Sequence, residues 1–236
     1  MAGVPDLGTI LITGGAAGLG AATARAVHAA GGRAVVIDRN PPESDRKGEI
    51  ADFVTVDLAD TRAAEHAVRT LAERGPGLDG VVTAAGIDRC GTLDEVDPTE
   101  WERVIAVNLL ATAAVSRAAL PYLRRSHGRL VSVASTLGLR AVSDATAYCA
   151  AKFGVVGFTR ALAAETAGQV GVTLLVPGGM RTRFFDDRPE RYRPADTDML
   201  NPPEHVADAI LTVLRQPARC EIRELVVAHS EEPSWP

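Results

Sequence analysis

Short apolar runs alternate with alanine-rich stretches along most of the chain. Seven of these runs are rich in β-branched residues: TILITG, RAVVID, DFVTVD, GVVTAAG, RLVSVAS, VTLLVP and ELVVA. Runs of this length that are apolar throughout predict strands buried on both faces, which is typical of parallel sheets. The alternation therefore predicts an α/β fold, a doubly wound sheet of about seven parallel strands with helices on both faces.

The alanine-rich stretches predict the helices that cover this sheet. One is expected over Leu19–Ala30, closed by two glycines, and another over Thr146–Thr166. A long helix is expected around Val104–Leu120, and its apolar residues extend over more of its circumference than one sheet face can bury. The segment Arg181–Pro203 is rich in proline and arginine, and it is the one long irregular stretch in a place where the alternation leads us to expect a helix.

Composition narrows the classes of protein that this fold can serve. A chain of 236 residues with 46% hydrophobic content is expected to form a single domain over 1–236. The net charge of −5 argues against nucleic acid as a partner. The N-terminus lacks the features of a secretory signal, and we expect no membrane-spanning segment, so the prediction is a soluble, cytoplasmic protein. Three scattered cysteines and five dispersed histidines predict reduced thiols and no metal site.

The first candidate chemistry follows the first predicted strand. The sequence TGGAAGLG places Gly14, Gly18 and Gly20 directly before a helix. Glycines allow the backbone to approach a pyrophosphate, and a helix N-terminus supplies unpaired N–H groups. The second strand ends at Asp38, at a suitable distance for an acid that binds an adenosine ribose. The alternatives are a tight turn without a ligand and an exposed turn residue, but the two features together favour a dinucleotide site.

The second candidate is the pair formed by Tyr148 and Lys152, one of only two lysines in the chain. Residues four apart lie on the same face of a helix. Bringing the pKa of a tyrosine from ~10 to neutrality requires about 4 kcal/mol, and an ammonium about 4 Å away supplies about that much at an intermediate dielectric. The spacing therefore predicts an acid/base device in which Lys152 lowers the pKa of Tyr148, as opposed to an accidental surface pair.

Together these residues resemble the short-chain dehydrogenases and reductases, a family of Rossmann-type enzymes, over nearly the whole chain. Thr13–Gly20 matches the T-G-x-x-x-G-x-G turn of the family, and Tyr148–Lys152 matches its Y-x-x-x-K helix. The resemblance implies a catalytic set of Asn108, Ser135, Tyr148 and Lys152. It also implies that the coenzyme is held by Gly14, Gly18, Leu19, Gly20, Asp38, Asp57, Leu58, Ala85, Gly86, Tyr148, Lys152, Met180 and Thr182.

What the resemblance implies is hydride transfer between a nicotinamide and a secondary alcohol or ketone. Ser135 would hold the substrate oxygen and Tyr148 would exchange its proton. Lys152 would also hold the nicotinamide ribose, and Asn108 would position a water. A homo-oligomer, a tetramer or dimer, is implied as well.

The chain departs from the family pattern at two places. TAAG stands where N-N-A-G is usual, and Thr83 is expected to do part of the work of the missing asparagine. The C-terminus ends SEEPSWP and lacks the glycine pair that many members carry after the last strand.

The choice of coenzyme and substrate rests on less specific residues. Asp38 favours NAD over NADP because a carboxylate repels the 2′-phosphate, although Arg39 could turn toward it. The segment 183–203 occupies the place of the mobile substrate loop, and its aromatic and arginine side chains could cover an apolar or an anionic substrate. Arg89 and Arg140 follow strand ends and could also face the pocket, or either could be a surface side chain. A catalytically silent NAD(P)-binding sensor or scaffold and an epimerase or dehydratase relative remain as alternatives.

Overall fold

The computed structural model describes residues 7–42 and 48–235. In chain order the elements are β1 (Thr9–Thr13), α1 (Gly18–Ala29), β2 (Arg33–Asp38), β3 (Asp52–Thr55), α2 (Thr61–Arg74), β4 (Gly80–Thr83), α3 (Pro98–Ile105), α4 (Ala111–Ser126), β5 (Arg129–Val133), α5 (Thr146–Glu165), β6 (Gly171–Pro177), α6 (Pro203–Leu214) and β7 (Glu224–Val227). The seven predicted strands are confirmed, and α1 and α5 lie within one residue of their predicted bounds.

All seven strands belong to one parallel sheet in the order β3-β2-β1-β4-β5-β6-β7. Leu11 in β1 is paired with Val35 in β2 on one side and with Val81 in β4 on the other. The strand order therefore reverses between β1 and β4. In open sheets of this kind, ligands bind at the carboxyl ends of the strands beside such a reversal.

Helices cover both faces of the sheet, because alternate residues of each central strand point to opposite sides. On one face Leu11 and Val81 pack with buried residues of α2 and α4. On the other face Ile12 and Val82 pack with buried residues of α1 and α6. Every residue of β1 and of β4 is buried, which explains their continuous apolar sequence.

The long helix expected around Val104–Leu120 is one continuous helical segment with a π-helical turn inside it. Residues Ala106–Leu110 form that turn between α3 and α4, and Asn108 lies at its centre. Within the described residues, the helical segment Pro98–Ser126 is long and apolar enough to cross a membrane by length and composition alone, which was not expected from the sequence. Packing explains this apolar composition, because 56% of the most apolar 18 residues of the segment is buried inside the protein.

The irregular segment before α6 contains short 3₁₀ turns at Arg183–Phe185 and Glu190–Tyr192. An isolated bridge pairs Met180 with Asn201, so the two ends of this segment lie close together. The segment thus leaves the sheet after β6 and returns beside its starting point.

Candidate active site

A cavity of 1290 Å³ opens at the carboxyl ends of the central strands, where the strand order reverses. Most of the predicted site residues line it: Gly14, Gly18, Leu19, Asp38, Asp57, Leu58, Ala85, Gly86, Ser135, Tyr148, Lys152, Met180 and Thr182. Gly20 and Asn108 do not form part of its wall. The topology thus gathers residues that are separated by up to 168 positions in the chain into one pocket.

The glycine turn shapes one end of the cavity. Gly14 and Gly18 adopt the left-handed backbone conformation, with φ of 71° and 53°. A Cβ on Gly20 would lie 2.2 Å from the carbonyl oxygen of Gly14, so Gly20 lets the helix start pack directly on the turn. No side chain in the described part of the chain caps the N-terminus of α1. Its N–H groups and positive dipole end therefore suit a pyrophosphate, and the residues present fit a dinucleotide.

Asp38 ties the second strand to this turn. One carboxylate oxygen accepts a hydrogen bond from the N–H of Ala16 at 3.0 Å, and the other accepts from the N–H of Asn40 at 3.0 Å. Each oxygen keeps a further acceptor position, so the group can still accept from ribose hydroxyls. Asp38 therefore both shapes the turn and lines the cavity, and Arg39 lines the cavity beside it.

Asp57 meets a partner that sequence reasoning missed. Its carboxylate accepts from the N–H of Ala59 at 2.9 Å and from the guanidinium of Arg103 in α3 at 2.7 Å. These two hydrogen bonds hold the pKa of Asp57 below its usual value, and the one from Ala59 has the larger effect. Arg103 also lines the cavity, and the sequence carries no local signal for this contact because the two residues are 46 positions apart.

Ser135, Tyr148 and Lys152 lie together at the other end of the cavity. Ser135 lies two residues after β5 and caps a short 3₁₀ turn, and its hydroxyl accepts from the N–H of Leu137 at 3.1 Å. Lys152 lies 5.6 Å from the centre of the Tyr148 ring and donates to the carbonyl of Val133 at 2.9 Å. A Cβ on Gly138 would lie 2.8 Å from the Lys152 carbonyl oxygen, so the Ser135 turn packs directly on α5.

Burial dominates the ionisation of this pair. It raises the pKa of Tyr148 to about 12, against a lowering effect of the hydrogen bond with Ser135. It also lowers the pKa of Lys152 to about 8. Lys152 is not among the groups that shift the pKa of Tyr148, because its ammonium is directed at the Val133 carbonyl, and burial disfavours the charged form of both side chains.

The side chain of Asn108 is held by the backbone of the segment that follows β4. Its amide forms two hydrogen bonds with the backbone of Ile87, accepting from the N–H at 2.9 Å and donating to the carbonyl at 2.8 Å. The side chain is fully buried and clamps the segment after β4 to the π-helical turn. Thr83 does not share this work, because its buried hydroxyl has no hydrogen-bond partner among the described residues.

The segment that carries Met180 and Thr182 is held by backbone hydrogen bonds to Asn201. The N–H of Asn201 donates to the carbonyl of Gly179 at 3.0 Å, and the N–H of Arg181 donates to the carbonyl of Asn201 at 2.9 Å. The Thr182 hydroxyl accepts from the N–H of Phe184 at 3.3 Å. A Cβ on Gly18 would be 3.5 Å from Thr182, so this segment faces the glycine turn across the cavity.

The segment 183–203 folds over the Tyr148 end of the cavity. The rings of Phe184 and Tyr148 are 5.7 Å apart, and the Arg188 guanidinium lies 5.1 Å from the Phe184 ring and 4.6 Å from the Phe185 ring. Arg188 also forms an ion pair of 2.7 Å with Asp88, whose side chain is only 3% exposed. Asp88 was missed, although an acid just after the fourth strand is a signal that could have identified it.

The two arginines proposed from strand ends have partners elsewhere. Arg89 lines the cavity, but its guanidinium is paired with Glu100. Arg140 donates to the carbonyl of Pro233 at 3.0 Å, near the C-terminus. Arg140 is exposed and does not line the cavity, which agrees with the surface alternative, and its guanidinium holds the segment around Pro233.

The fold and the cavity at its strand reversal define a Rossmann-type nucleotide-binding protein. The chain belongs to the short-chain dehydrogenase family, whose model matches residues 8–193, and it is an oxidoreductase of that family. It is 34% identical to 2-(S)-hydroxypropyl-CoM dehydrogenase 3 of Xanthobacter autotrophicus over 231 residues, which covers 89% of this chain and 90% of that protein. It is 35% identical to D-beta-hydroxybutyrate dehydrogenase of Cupriavidus necator, covering 77% of this chain and 74% of that protein.

Solved structures agree with this assignment at the level of the fold. An alcohol dehydrogenase from the archaeon Thermococcus sibiricus, complexed with 5-hydroxy-NADP, superposes with a TM-score of 0.83 at 23% identity, covering 94% of this chain and 96% of that one. The ligand-free aldohexose dehydrogenase of Thermoplasma acidophilum gives a TM-score of 0.84 at 22% identity, covering 95% and 94% of the two chains.

Proposed function

We propose that the protein is an NAD-dependent dehydrogenase or reductase that interconverts a secondary alcohol and a ketone in a small molecule. The observation that carries the proposal is the buried group of Ser135, Tyr148 and Lys152, which shares one cavity with the uncapped N-terminus of α1. The names of the two relatives given above both describe hydroxyl-bearing substrates, which supports this substrate class.

Tyr148 supplies and removes the proton at the substrate oxygen in this proposal. When bound, a nicotinamide supplies or accepts the hydride at the neighbouring carbon. Because burial keeps the pKa of Tyr148 at about 12, the phenol stays protonated at neutral pH and is ready to donate during reduction. The Ser135 hydroxyl, which lines the same cavity as the phenol, would orient the carbonyl oxygen. In the oxidative direction the phenolate must form, so activity is expected to rise with pH.

NAD is favoured over NADP because of the residues at the adenosine end. Asp38 presents a carboxylate to the cavity, and like charge repels a 2′-phosphate. Arg39 argues the other way, because it also lines the cavity and its positive charge could attract a 2′-phosphate. We expect the carboxylate to decide, because two backbone N–H groups fix its position.

The test is a Tyr148→Phe variant, assayed through nicotinamide absorbance with a panel of ketones, aldehydes and secondary alcohols. We expect coenzyme binding to persist and turnover to fall by at least the ~100-fold typical of a lost general acid. Tyr122→Phe is the matched control, because Tyr122 lies on α4 away from the cavity and should leave the rate unchanged. Wild-type turnover by a folded Tyr148→Phe variant would refute the mechanism. Tightly bound, non-exchanging coenzyme would instead favour an epimerase or dehydratase, and coenzyme binding without turnover would favour a sensor.

A further inference from the structure

The last residues of the chain lie against the candidate active site. After β7 the segment 229–235, here called the C-terminal tail, contributes Glu232, Pro233 and Ser234 to the wall of the same cavity as Tyr148. The Arg140 guanidinium holds the carbonyl of Pro233 at 3.0 Å. This is the part of the sequence that departs from the family pattern, so the family resemblance assigns it no role.

Glu232 binds the backbone of the segment that carries Met180 and Thr182. One carboxylate oxygen accepts from the N–H of Gly179 at 2.8 Å. A Cβ on Gly178 would lie 2.3 Å from the same oxygen, so the carboxylate packs directly against the backbone there. A hydrogen bond to an ionised acceptor is stronger than one between neutral groups, and this contact therefore restrains the start of the segment.

The other carboxylate oxygen of Glu232 is connected through Ser234 to the turn that follows Ser135. It accepts from the hydroxyl of Ser234 at 2.5 Å and from the N–H of Ser234 at 3.2 Å. The Ser234 oxygen is also 2.7 Å from the hydroxyl oxygen of Thr136, the neighbour of Ser135. Because a carboxylate only accepts, the Ser234 proton points to Glu232 and the Thr136 hydroxyl donates to Ser234.

Glu232 and Ser234 thus connect two walls of the cavity. On one side is the turn that presents Ser135 to the substrate oxygen, and on the other is the segment with Met180 and Thr182, which would hold the nicotinamide. We propose that Glu232 is a positioning residue, which fixes the distance between these walls and thereby the geometry of hydride transfer. The inference rests on the proposed function, because it needs a hydride to be transferred across this gap.

A positioning role predicts that a substitution of Glu232 lowers kcat and leaves binding at the adenosine end unchanged. Glu232→Ala should lower kcat by about 10- to 100-fold, because displacements near 1 Å cost that much in a reaction that needs aligned atoms. Binding of ADP-ribose should be unchanged, because the hydrogen bonds of the tail to the cavity walls, among the described residues, go to Gly179, Thr136 and Arg140 and not to Asp38 or Arg39. The isotope effect with coenzyme deuterated at the transferred position should increase as hydride transfer becomes slower than product release.

Two further variants separate positioning from general damage. Glu232→Gln should keep part of the rate, since its amide oxygen can accept from Gly179 and its NH₂ can donate to the Ser234 hydroxyl, and only the hydrogen bond from the Ser234 N–H is lost. Thr136→Val should reproduce part of the loss from the opposite end of the connection. Glu231→Ala is the matched control, because the Glu231 side chain is exposed on the same tail and its removal should change nothing.

A measurement without turnover tests the contact itself. In the coenzyme-free protein, Glu232→Ala should speed amide hydrogen exchange in peptides covering 178–182 and 135–138, and Glu231→Ala should not. Unchanged exchange, or an unchanged kcat and isotope effect, would overturn the proposal. Loss of ADP-ribose binding together with failure of Glu232→Gln to restore the rate would also overturn it, by showing a merely structural role. A wild-type protein that binds coenzyme but transfers no hydride would refute the proposed function, and the positioning role with it, even if exchange confirms the contact.

Discussion

Replacing Lys152 by methionine is expected to stabilise the coenzyme-free protein at neutral pH, although it removes a candidate catalytic residue. Lys152 is only 4% exposed, and its ammonium donates to the carbonyl of Val133 at 2.9 Å. Burial lowers its pKa from 10.5 to about 8, which means that the folded protein holds the charged form at a cost. Methionine has a similar length and carries no charge.

The magnitude follows from the two pKa values. A fall from 10.5 to about 8 corresponds to roughly 3 kcal/mol, because each pH unit is worth about 1.4 kcal/mol. Against this, the variant leaves the Val133 carbonyl without its lysine partner, at a cost of about 1 to 3 kcal/mol. The expected net gain at pH 7 is of order 1 kcal/mol, or roughly 2 to 4 °C in Tm for a chain of this size.

The sign of the pH dependence is the sharper part of this prediction. Between pH 8 and 10.5 the unfolded chain keeps the lysine proton while the folded protein has lost it, so wild-type stability rises with pH in this window. The advantage of Lys152→Met should therefore be full below pH 8 and shrink as the pH approaches 10.5.

Urea unfolding of wild type and variant at pH 7 and pH 10, both without coenzyme, measures the effect. Arg124→Met, on the exposed side of α4, controls for the loss of one positive charge and should show no such pH dependence. The reasoning is refuted if Lys152→Met is destabilised by the same amount at both pH values, since the buried ammonium would then carry no cost.

Three further outcomes are expected. Asp38→Ala should weaken binding of NAD and relieve the repulsion of NADP, so the ratio of kcat/KM for the two coenzymes should narrow; an unchanged ratio would show that Asp38 serves the turn alone. Asp88→Asn should remove the ionic partner of Arg188 and release the segment 183–203, which limited trypsin digestion would detect as faster cleavage there; digestion at the wild-type rate would show that this ion pair does not restrain the segment. Light scattering should give the mass of a dimer or tetramer, because Leu110 and Phe153 are 49% and 44% exposed; a monomer at micromolar concentration would reject the homo-oligomer.

The sheet was predictable from the sequence because its signal is local. Strands such as β1 and β4 are buried along their whole length, so each must be an uninterrupted apolar run, and glycines or helical stretches separate them. The four-residue spacing of Tyr148 and Lys152 likewise fixes which side of a helix they share. Tyr148 and Lys152 line the cavity as expected, and so do Gly14 and Gly18 of the glycine turn.

Two features were not predictable from local patterns: the pKa shifts of Tyr148 and Lys152, and the contacts of the segment 183–203 and the C-terminal tail. Spacing brings Lys152 near Tyr148, but it says nothing about the dry surroundings that raise one pKa and lower the other. The ion pair of Arg188 and Asp88 joins residues 100 positions apart, and Glu232 lies 53 positions from Gly179. Contacts of this range depend on how loops return to the sheet, and loop sequences carry no periodic pattern.

The residues that local sequence patterns identify lie on more rigid elements than the residues of the segments that cover the cavity. Tyr148 and Lys152 lie in a helix of 20 residues, and Ser135 lies two residues after the central strand β5, so the acid/base group is held on or next to elements that the core fixes. The walls opposite them come from 3₁₀ turns and the C-terminal tail, which are held by a few polar contacts: Arg188 with Asp88, and Glu232 with Gly179. Substitutions in the covering segments can therefore change which substrate fits and how it is aligned while the proton chemistry stays intact. Substitutions in the Ser135, Tyr148 and Lys152 group should instead abolish turnover for every substrate alike.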